Sequence, residues 1–161
     1  QRLFSSNPQN LQVRFELMDI AARMIGERPV FGFGLNSWAY EMAAHSQHGP
    51  ALLTRLWGEL MPPVHNVYLL VWAEQGTVGL LLFLGVIIAL LATGLRNLRL
   101  RDDGLFALNV GLLAGLVAIL VHGLADWVLR TNPLQRMFWL DGGLLLALAL
   151  WRRRQVGDES P

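Results

Sequence analysis

The stretch TVGLLLFLGVIIALLATGL, residues 77–95, decides the class of fold because none of its 19 residues is charged. A helix needs about 20 apolar residues to cross the hydrocarbon core of a bilayer. Over the whole chain 53% of residues are hydrophobic and 16% are charged, whereas about a quarter are charged in a soluble domain. We therefore expect a membrane protein.

Two more stretches predict membrane spans. Residues 104–124 are apolar over most of their length, and residues 134–151 are apolar except where Arg136 and Asp141 interrupt them. The apolar run 67–73 is too short to cross alone, so it either lies at the interface or extends the first span. The predicted fold class is all-α: a polytopic membrane protein fragment with three transmembrane helices and a partly helical segment outside the cytoplasm.

The orientation follows from two arginine clusters. One cluster, Arg96, Arg99 and Arg101, separates the first two spans, and the other, residues 152–154, follows the third. With three spans, both clusters lie on the same side of the membrane. The positive-inside rule predicts that this side is the cytoplasmic one. The predicted order is a segment outside the cytoplasm at 1–76, a span at 77–95, a cytoplasmic loop at 96–103, a span at 104–124, an outer loop at 125–133, a span at 134–151 and a cytoplasmic tail at 152–161.

Composition also limits the chemistry. The chain has no cysteine, which excludes disulfides and cysteine-bound metals. The net charge of +1 does not suggest a nucleic-acid partner. Because the sequence opens on Gln1 without a signal-peptide pattern, we interpret it as a C-terminal piece of a longer protein.

The outer segment contains one clear helix, over residues 11–25. Its apolar stripe follows steps of three and four residues and consists of Leu11, Phe15, Met18, Ala22 and Ile25. Arg23 has Asp19 and Glu27 four residues away, as an ordinary surface charge does. Arg14 lies inside the apolar arc with no acid at that spacing. In one interpretation the Arg14 side chain snorkels, with its charged end in water, or pairs with an acid elsewhere in the protein. In the other, Arg14 faces an anionic ligand.

The segment after this helix is turn-like. Gly26 and Pro29 end the helix, and Gly32 and Gly34 allow a tight turn. The sequence GFG lacks the context of a dinucleotide-binding loop. His45 and His48 have metal-like spacing but no acidic third ligand nearby, so we expect neither a metal nor a cofactor.

His65 precedes an apolar run and has two interpretations. It is a helix-start residue, with Asn66 the better N-cap, or it is a working base. Composition and spacing leave these two alternatives open. Glu74 lies two helical turns further on, and we expect it to be structural.

The second span carries another polar group. His122, Asp126 and Arg130 follow one another at steps of four residues. An ionisable residue in a span is a functional candidate, but we favour a structural ion-pair ladder at the outer helix end. Small residues at 111, 115 and 118 share the His122 face and would let another helix approach closely.

Two of these segments resemble a known family. RFELMDIAARMIGERPVFGFGLNSWAY, residues 14–40, resembles the segment R-x-x-x-W-x-x-A-x-x-M-I-x-x-x-P-x-x-G-x-G of the O-antigen ligase and polymerase family. VHNVYLLVWAEQGTVGLLLFL, residues 64–84, resembles that family's H-N-x-Y-L followed by E-x-G-x-x-G. Met18 stands where tryptophan is common, and both are apolar. The resemblance covers residues 11–95 and, loosely, the later spans.

The resemblance implies an enzyme of the bacterial inner membrane that serves lipopolysaccharide or polysaccharide biosynthesis in the cell envelope. Such proteins transfer a glycan from undecaprenyl pyrophosphate to a hydroxyl acceptor at the periplasmic side, which makes residues 1–76 a periplasmic segment. The acceptor is a lipid A core, a growing glycan or a protein side chain. The partners are these two substrates and membrane lipids, and neither a metal nor a nucleotide takes part.

The resemblance also assigns roles to residues. Arg14 and His65 match the functional residues of the family, Arg14 to bind the pyrophosphate and His65 to act as general base in an inverting displacement. Asn66 and Tyr68 would orient His65 or the acceptor. His122, Asp126 and Arg130 remain possible supporting residues.

Two other classes of function stay open. A lipid-linked glycan flippase or polysaccharide transporter would also have spans with embedded charges, but those charges should line a path through the bilayer. A non-catalytic assembly subunit would tolerate replacement of His65. Within the resembling family, the sequence does not separate ligase from polymerase.

Overall fold

The computed structural model describes residues 8–46, 63–130 and 132–158. These residues form helices and turns and contain no strand, in agreement with the predicted all-α class. The helices are α1 (Pro8–Glu27), α2 (Trp38–His45), α3 (Val67–Asn97), α4 (Asp103–His122) and α5 (Asn132–Asp158), with a short 3-10 helix at Val128–Arg130.

The chain divides into two compact units. The first comprises residues 1–82 and 124–127, and the second comprises residues 83–123 and 128–161. Helix α3 begins in the first unit and ends in the second. The short segment 124–127, although late in the sequence, belongs to the first unit together with α1 and α2.

The core of the first unit forms where α1 and α2 pack on residues 64–73. Its buried side chains are Val13, Leu17, Ile20, Ala21, Met24, Trp38, Met42, Val64, Leu70 and Ala73. Burial of such side chains supplies most of the free energy that holds the segment together.

The buried face of α1 differs from the predicted one. Phe15 is 69% exposed, and Ala22 is exposed as well, whereas Leu17 and Ile20 are fully buried. Of the predicted stripe, Met18 packs only at the edge of the core. At 100° per residue the apolar side chains of α1 cover about 220° of arc, so the period alone does not select the buried part.

A close approach of two backbone segments joins residues 29–34 to the helix α3. The Thr77 and Val78 amides donate to the carbonyls of Pro29 and Val30 at 2.8 and 3.2 Å. In the opposite direction, the Gly34 amide donates to the Glu74 carbonyl at 2.7 Å. These bonds hold the turn after α1 directly against the kink in α3.

Gly32 and Gly76 make this approach possible. Both have positive φ, +66° at Gly32 and +67° at Gly76. A Cβ atom on Gly32 would overlap the Glu74 carbonyl, and one on Gly76 would overlap the Val30 carbonyl. At Gly76, ψ is −170°, which interrupts the helical geometry of α3 in a region that is essentially restricted to glycine.

The run 67–73 therefore continues the helix of the first predicted span across a kink. This agrees with one of the two alternatives above, that the run extends the first span. The 21 residues from Thr77 to Asn97 rise about 31 Å, the thickness of the hydrocarbon core. Two helices, α3 and α4, are long and apolar enough to cross a membrane. Leu82 and Ile88 of α3 are 69% and 64% exposed, as lipid-facing residues would be.

The third predicted span lies on α5 but is not among these candidates. Arg136 and Asp141 fall within that helix and lower its hydropathy. The prediction of a helix there is confirmed, and its passage through a membrane stays a prediction.

The second unit contains buried amides. The Asn97 side chain donates to the Leu145 carbonyl at 2.9 Å, and the Asn109 side chain donates to the Gly94 carbonyl at 3.0 Å. Both asparagines are fully buried. Gly94 lies so close to α4 that an added Cβ would crowd the Leu113 side chain. These bonds tie α3 to α4 and to α5 within this unit.

The predicted small-residue face of α4 is not the buried one. Leu112 and Leu116 are buried with Asn109, whereas Gly111 and Ala118 are exposed. Of the small residues, Gly115 is the one that faces a neighbour in the described residues, the Asp141 carboxylate. Larger apolar side chains therefore make the buried contacts of α4 among the described residues, and the approach of another helix to the small-residue face stays a prediction.

We predict that Gly76→Ala strongly destabilises the protein. The left-handed conformation alone costs an alanine about 1–3 kcal/mol, and the overlap with the Val30 carbonyl adds to that cost. Thermal unfolding of the detergent-solubilised protein measures the effect. Gly26→Ala is the matched control, because Gly26 lies in α1 with no described atom in the way of a Cβ. Equal melting temperatures for the two variants would contradict the close approach.

Candidate functional site

His65 and Asn66 occupy the turn that leads into α3. The Asn66 Oδ1 atom accepts hydrogen bonds from the amides of Tyr68 and Leu69, both at 3.0 Å. This is the N-cap arrangement, so the prediction of Asn66 as the helix cap is confirmed. Because the cap belongs to Asn66, the His65 side chain is not needed to begin the helix.

Asn66 also reaches the segment 124–127. Its Nδ2 atom donates to the Leu124 carbonyl at 3.0 Å. One side chain therefore starts α3 and holds this late segment beside His65. The spacing of residues in the sequence did not indicate this second contact.

Arg14 contacts the same segment from α1. Its Nη1 atom donates to the Ala125 carbonyl at 3.5 Å, the long limit of a hydrogen bond. The Arg14 side chain is exposed. Arg23, by contrast, pairs with Asp19 at 3.0 Å on the solvent side of α1, as predicted for an ordinary surface charge.

The charges near His65 act on its protonation. Burial lowers the pKa of His65 below its usual value of 6.5, the positive charge of Arg14 lowers it further, and the negative charge of Asp126 opposes both. A lowered pKa favours the neutral imidazole at pH 7, the form that accepts a proton. Arg14 and Asp126 both lie within electrostatic reach of His65.

Trp127 completes the surroundings of His65. The two ring centroids are 6.1 Å apart and the rings are inclined by 47°. The His65 Nδ1 atom is buried and has no hydrogen-bond partner among the described residues. Sequence reasoning missed Trp127, because nothing in its spacing ties it to His65.

The predicted ladder of His122, Asp126 and Arg130 does not lie on one continuous helix, and ion pairing among the three side chains stays a prediction. Helix α4 ends at His122, and turns follow before the 3-10 helix that contains Arg130. Steps of four residues therefore do not align the three side chains on one helix face. Asp126 alone belongs to the unit that contains His65, and its Oδ1 atom accepts a hydrogen bond from the Trp127 amide at 2.7 Å.

Tyr68 lies in the first turn of α3 and is half-buried. Its amide is one of the two that Asn66 caps. A role for Tyr68 in orienting a substrate stays a prediction.

Glu74 is structural, as expected. It is 2% exposed, and its carboxylate accepts hydrogen bonds from the amides of Trp38 and Asn36 at 2.9 and 3.1 Å. These amides lie at the start of α2, where the helix dipole favours a negative charge. Glu74 therefore takes the place of a local side-chain cap at this helix start, where the Ser37 side chain forms no capping bond.

Both ring nitrogens of His45 are engaged by protein acceptors. The Nδ1 atom lies 2.7 Å from the Glu41 carbonyl, and the Nε2 atom lies 3.0 Å from the Glu27 carboxylate. His48, its partner in the metal-like spacing, lies outside the described residues. Among the described residues, no group of three histidine or acidic side chains is arranged to hold a metal.

Comparison with known proteins identifies the family of the chain. Residues 2–84 match the family model of the O-antigen ligases. No curated protein and no solved structure matches the chain. The matched residues include Arg14, His65 and Asn66 of the site, and Gly32 and Gly76 of the close approach. They make up more than half of the chain, which therefore belongs to the O-antigen ligase family.

Proposed function

We propose that this chain carries the catalytic residues of a membrane glycosyltransferase that moves a glycan from undecaprenyl pyrophosphate to a hydroxyl acceptor. The observation that carries the proposal is the position of Arg14 and a half-buried, neutral His65 beside one segment, 124–127. Membership of the O-antigen ligase family supports glycosyl transfer at a membrane.

His65 is the general base of this proposal. The acceptor oxygen attacks the anomeric carbon while the bond from that carbon to the pyrophosphate oxygen breaks, and the hydroxyl proton passes to His65. A neutral imidazole accepts that proton at neutral pH, and a single displacement inverts the anomeric centre. The lowered pKa supports this role, because a protonated histidine has no lone pair to offer.

Arg14 is the proposed partner of the leaving group. The pyrophosphate departs as an anion, and a fixed positive charge beside it stabilises the transition state. The planar guanidinium suits phosphate oxygens because it offers paired N–H donors. Its exposure and its single long contact with the Ala125 carbonyl in the described residues are compatible with ligand binding. This account favours the anion-binding interpretation of Arg14 over snorkelling.

Asp126 and Asn66 support the base. A carboxylate near His65 stabilises the imidazolium that forms during transfer. Asn66 holds the backbone of segment 124–127, and thereby Asp126, in place through its bond to the Leu124 carbonyl. We propose that Tyr68 orients the acceptor. His122 and Arg130 belong to the second unit, and we assign them no part in the chemistry.

The proposed location is the bacterial inner membrane. Residues 1–76 would lie on the periplasmic side, where lipid-linked glycans are presented. Residues 134–151 would form a third span that places both arginine clusters in the cytoplasm. The acceptor in this proposal is a lipid A core, a growing glycan or a protein hydroxyl.

A flippase component is the alternative function. In that case Arg14 and His65 would act on the passage of a lipid-linked glycan and no glycosidic bond would form. Product analysis with the purified protein and a lipid-linked glycan separates the two, since only a transferase yields a glycosylated acceptor.

We predict that His65→Ala slows glycan transfer by roughly 10²- to 10⁴-fold, the usual effect of losing a general base. His65→Gln should fail as well, because an amide does not accept the proton. Binding of the lipid-linked donor should remain, since Arg14 contacts the pyrophosphate. Transfer rate and donor affinity are measured for each variant. Near-normal transfer by His65→Ala would remove His65 from the chemistry.

We predict that Arg14→Lys loses most of the activity, because a point charge does not replace a bidentate fork. Arg23→Lys is the matched control. It makes the same substitution on the same helix, at a side chain that pairs with Asp19 in solvent, so its activity should be close to that of the wild type. Equal losses in the two variants would show that the substitution acts through α1 and not through a ligand.

A further inference from the structure

A cavity of about 440 Å³ lies in the second unit, at the end that carries both arginine clusters. Four arginine side chains line it, and they are Arg99, Arg101, Arg152 and Arg153. Leu100 and Trp151 add apolar surface to the same lining. None of these residues takes part in the proposed transfer.

Arg152, a residue of α5, lines the cavity. Its Nη1 atom donates to the Arg96 carbonyl at 3.0 Å, which ties α5 to the last turn of α3. The Arg152 Nε atom is buried and has no hydrogen-bond partner in the described residues. A buried N–H group without a partner is costly, and the Nη1 bond to the Arg96 carbonyl offsets part of that cost.

The charges of the lining are all positive. No acidic residue is among the lining residues that the structure describes. Asp102, the nearest acid in sequence, uses its Oδ1 atom to cap α4 through the Leu105 amide at 2.8 Å. Four positive groups around one cavity repel one another, and a bound anion relieves that repulsion.

We propose that the cavity binds the phosphodiester headgroup of an anionic membrane lipid. Phosphate oxygens match the paired donors of arginine. The lining residues 99–101 lie in the chain between Asn97 and Asp103, the ends of the two helices that are apolar enough to span a membrane, which corresponds to headgroup depth. Trp151 and Leu100 offer contacts to the glycerol and upper acyl region.

Native mass spectrometry of the full-length protein tests this proposal, with phosphatidylglycerol as the probe and phosphatidylethanolamine as the zwitterionic comparison. The protein should retain phosphatidylglycerol preferentially. Arg99→Gln combined with Arg153→Gln should weaken that binding roughly tenfold through the loss of charge-assisted hydrogen bonds. Both side chains are exposed, and thermal unfolding verifies that the variant is folded. Arg153→Gln alone provides a milder second variant with a smaller loss in the same direction.

The matched control is Arg96→Gln combined with Arg154→Gln. It removes the same charge from the same two clusters, but neither side chain lines the cavity. Its lipid binding should stay close to that of the wild type. Equal weakening in both double variants would show general surface attraction and overturn the site. Equal retention of the zwitterionic lipid, or displacement of the lipid by inorganic phosphate at similar concentration, would also overturn the assignment to a lipid headgroup.

Discussion

The close approach of Gly32 and Gly76 is the constraint on which the first unit depends. Each glycine lies against the backbone that flanks the other, and neither position has room for a side chain. The approach fixes the turn after α1 relative to the start of α3. Because Arg14 lies on α1 and His65 precedes α3, the same constraint limits how the two residues are placed relative to each other.

The matched family residues divide into two groups by what they contact. Gly32, Gly34, Glu74 and Gly76 contact backbone, and they hold two chain segments together. The buried Glu74 adds the start of α2 to this assembly. Arg14 and His65 form the other group, whose side chains contact segment 124–127. The matched segments thus contain both the residues of the close approach and the two residues to which a chemical role is proposed.

Local patterns predicted much of this molecule. Apolar length identified the helices at 77–95 and 104–124, the order of turn residues placed the end of α1, and the cap at Asn66 followed from its position before an apolar run. The helical period did not predict which face of α1 is buried, because apolar residues cover more than half of the circumference of that helix. Contacts between residues far apart in the sequence were also not predictable, because no spacing rule links such segments. The main example is the position of Asp126 and Trp127 beside His65. The end of α4 at His122 lies within two residues of the predicted end of the second span, so His122 and Arg130 do not share a helix.

The pH dependence of glycan transfer tests the central claim, that His65 is a neutral base between Arg14 and Asp126. The measurement is kcat/KM across pH 4.5 to 8, with folding verified at each pH, because this ratio reports the pKa values of the free enzyme. Activity should be level at neutral pH and fall about tenfold per unit below a midpoint that lies under 6.5, the usual pKa of histidine. In Asp126→Asn the midpoint should move lower, because the charge that raises the pKa of His65 is removed while the acceptor for the Trp127 amide remains. Transfer that does not vary across this range, or a midpoint that moves upward in Asp126→Asn, would contradict the account.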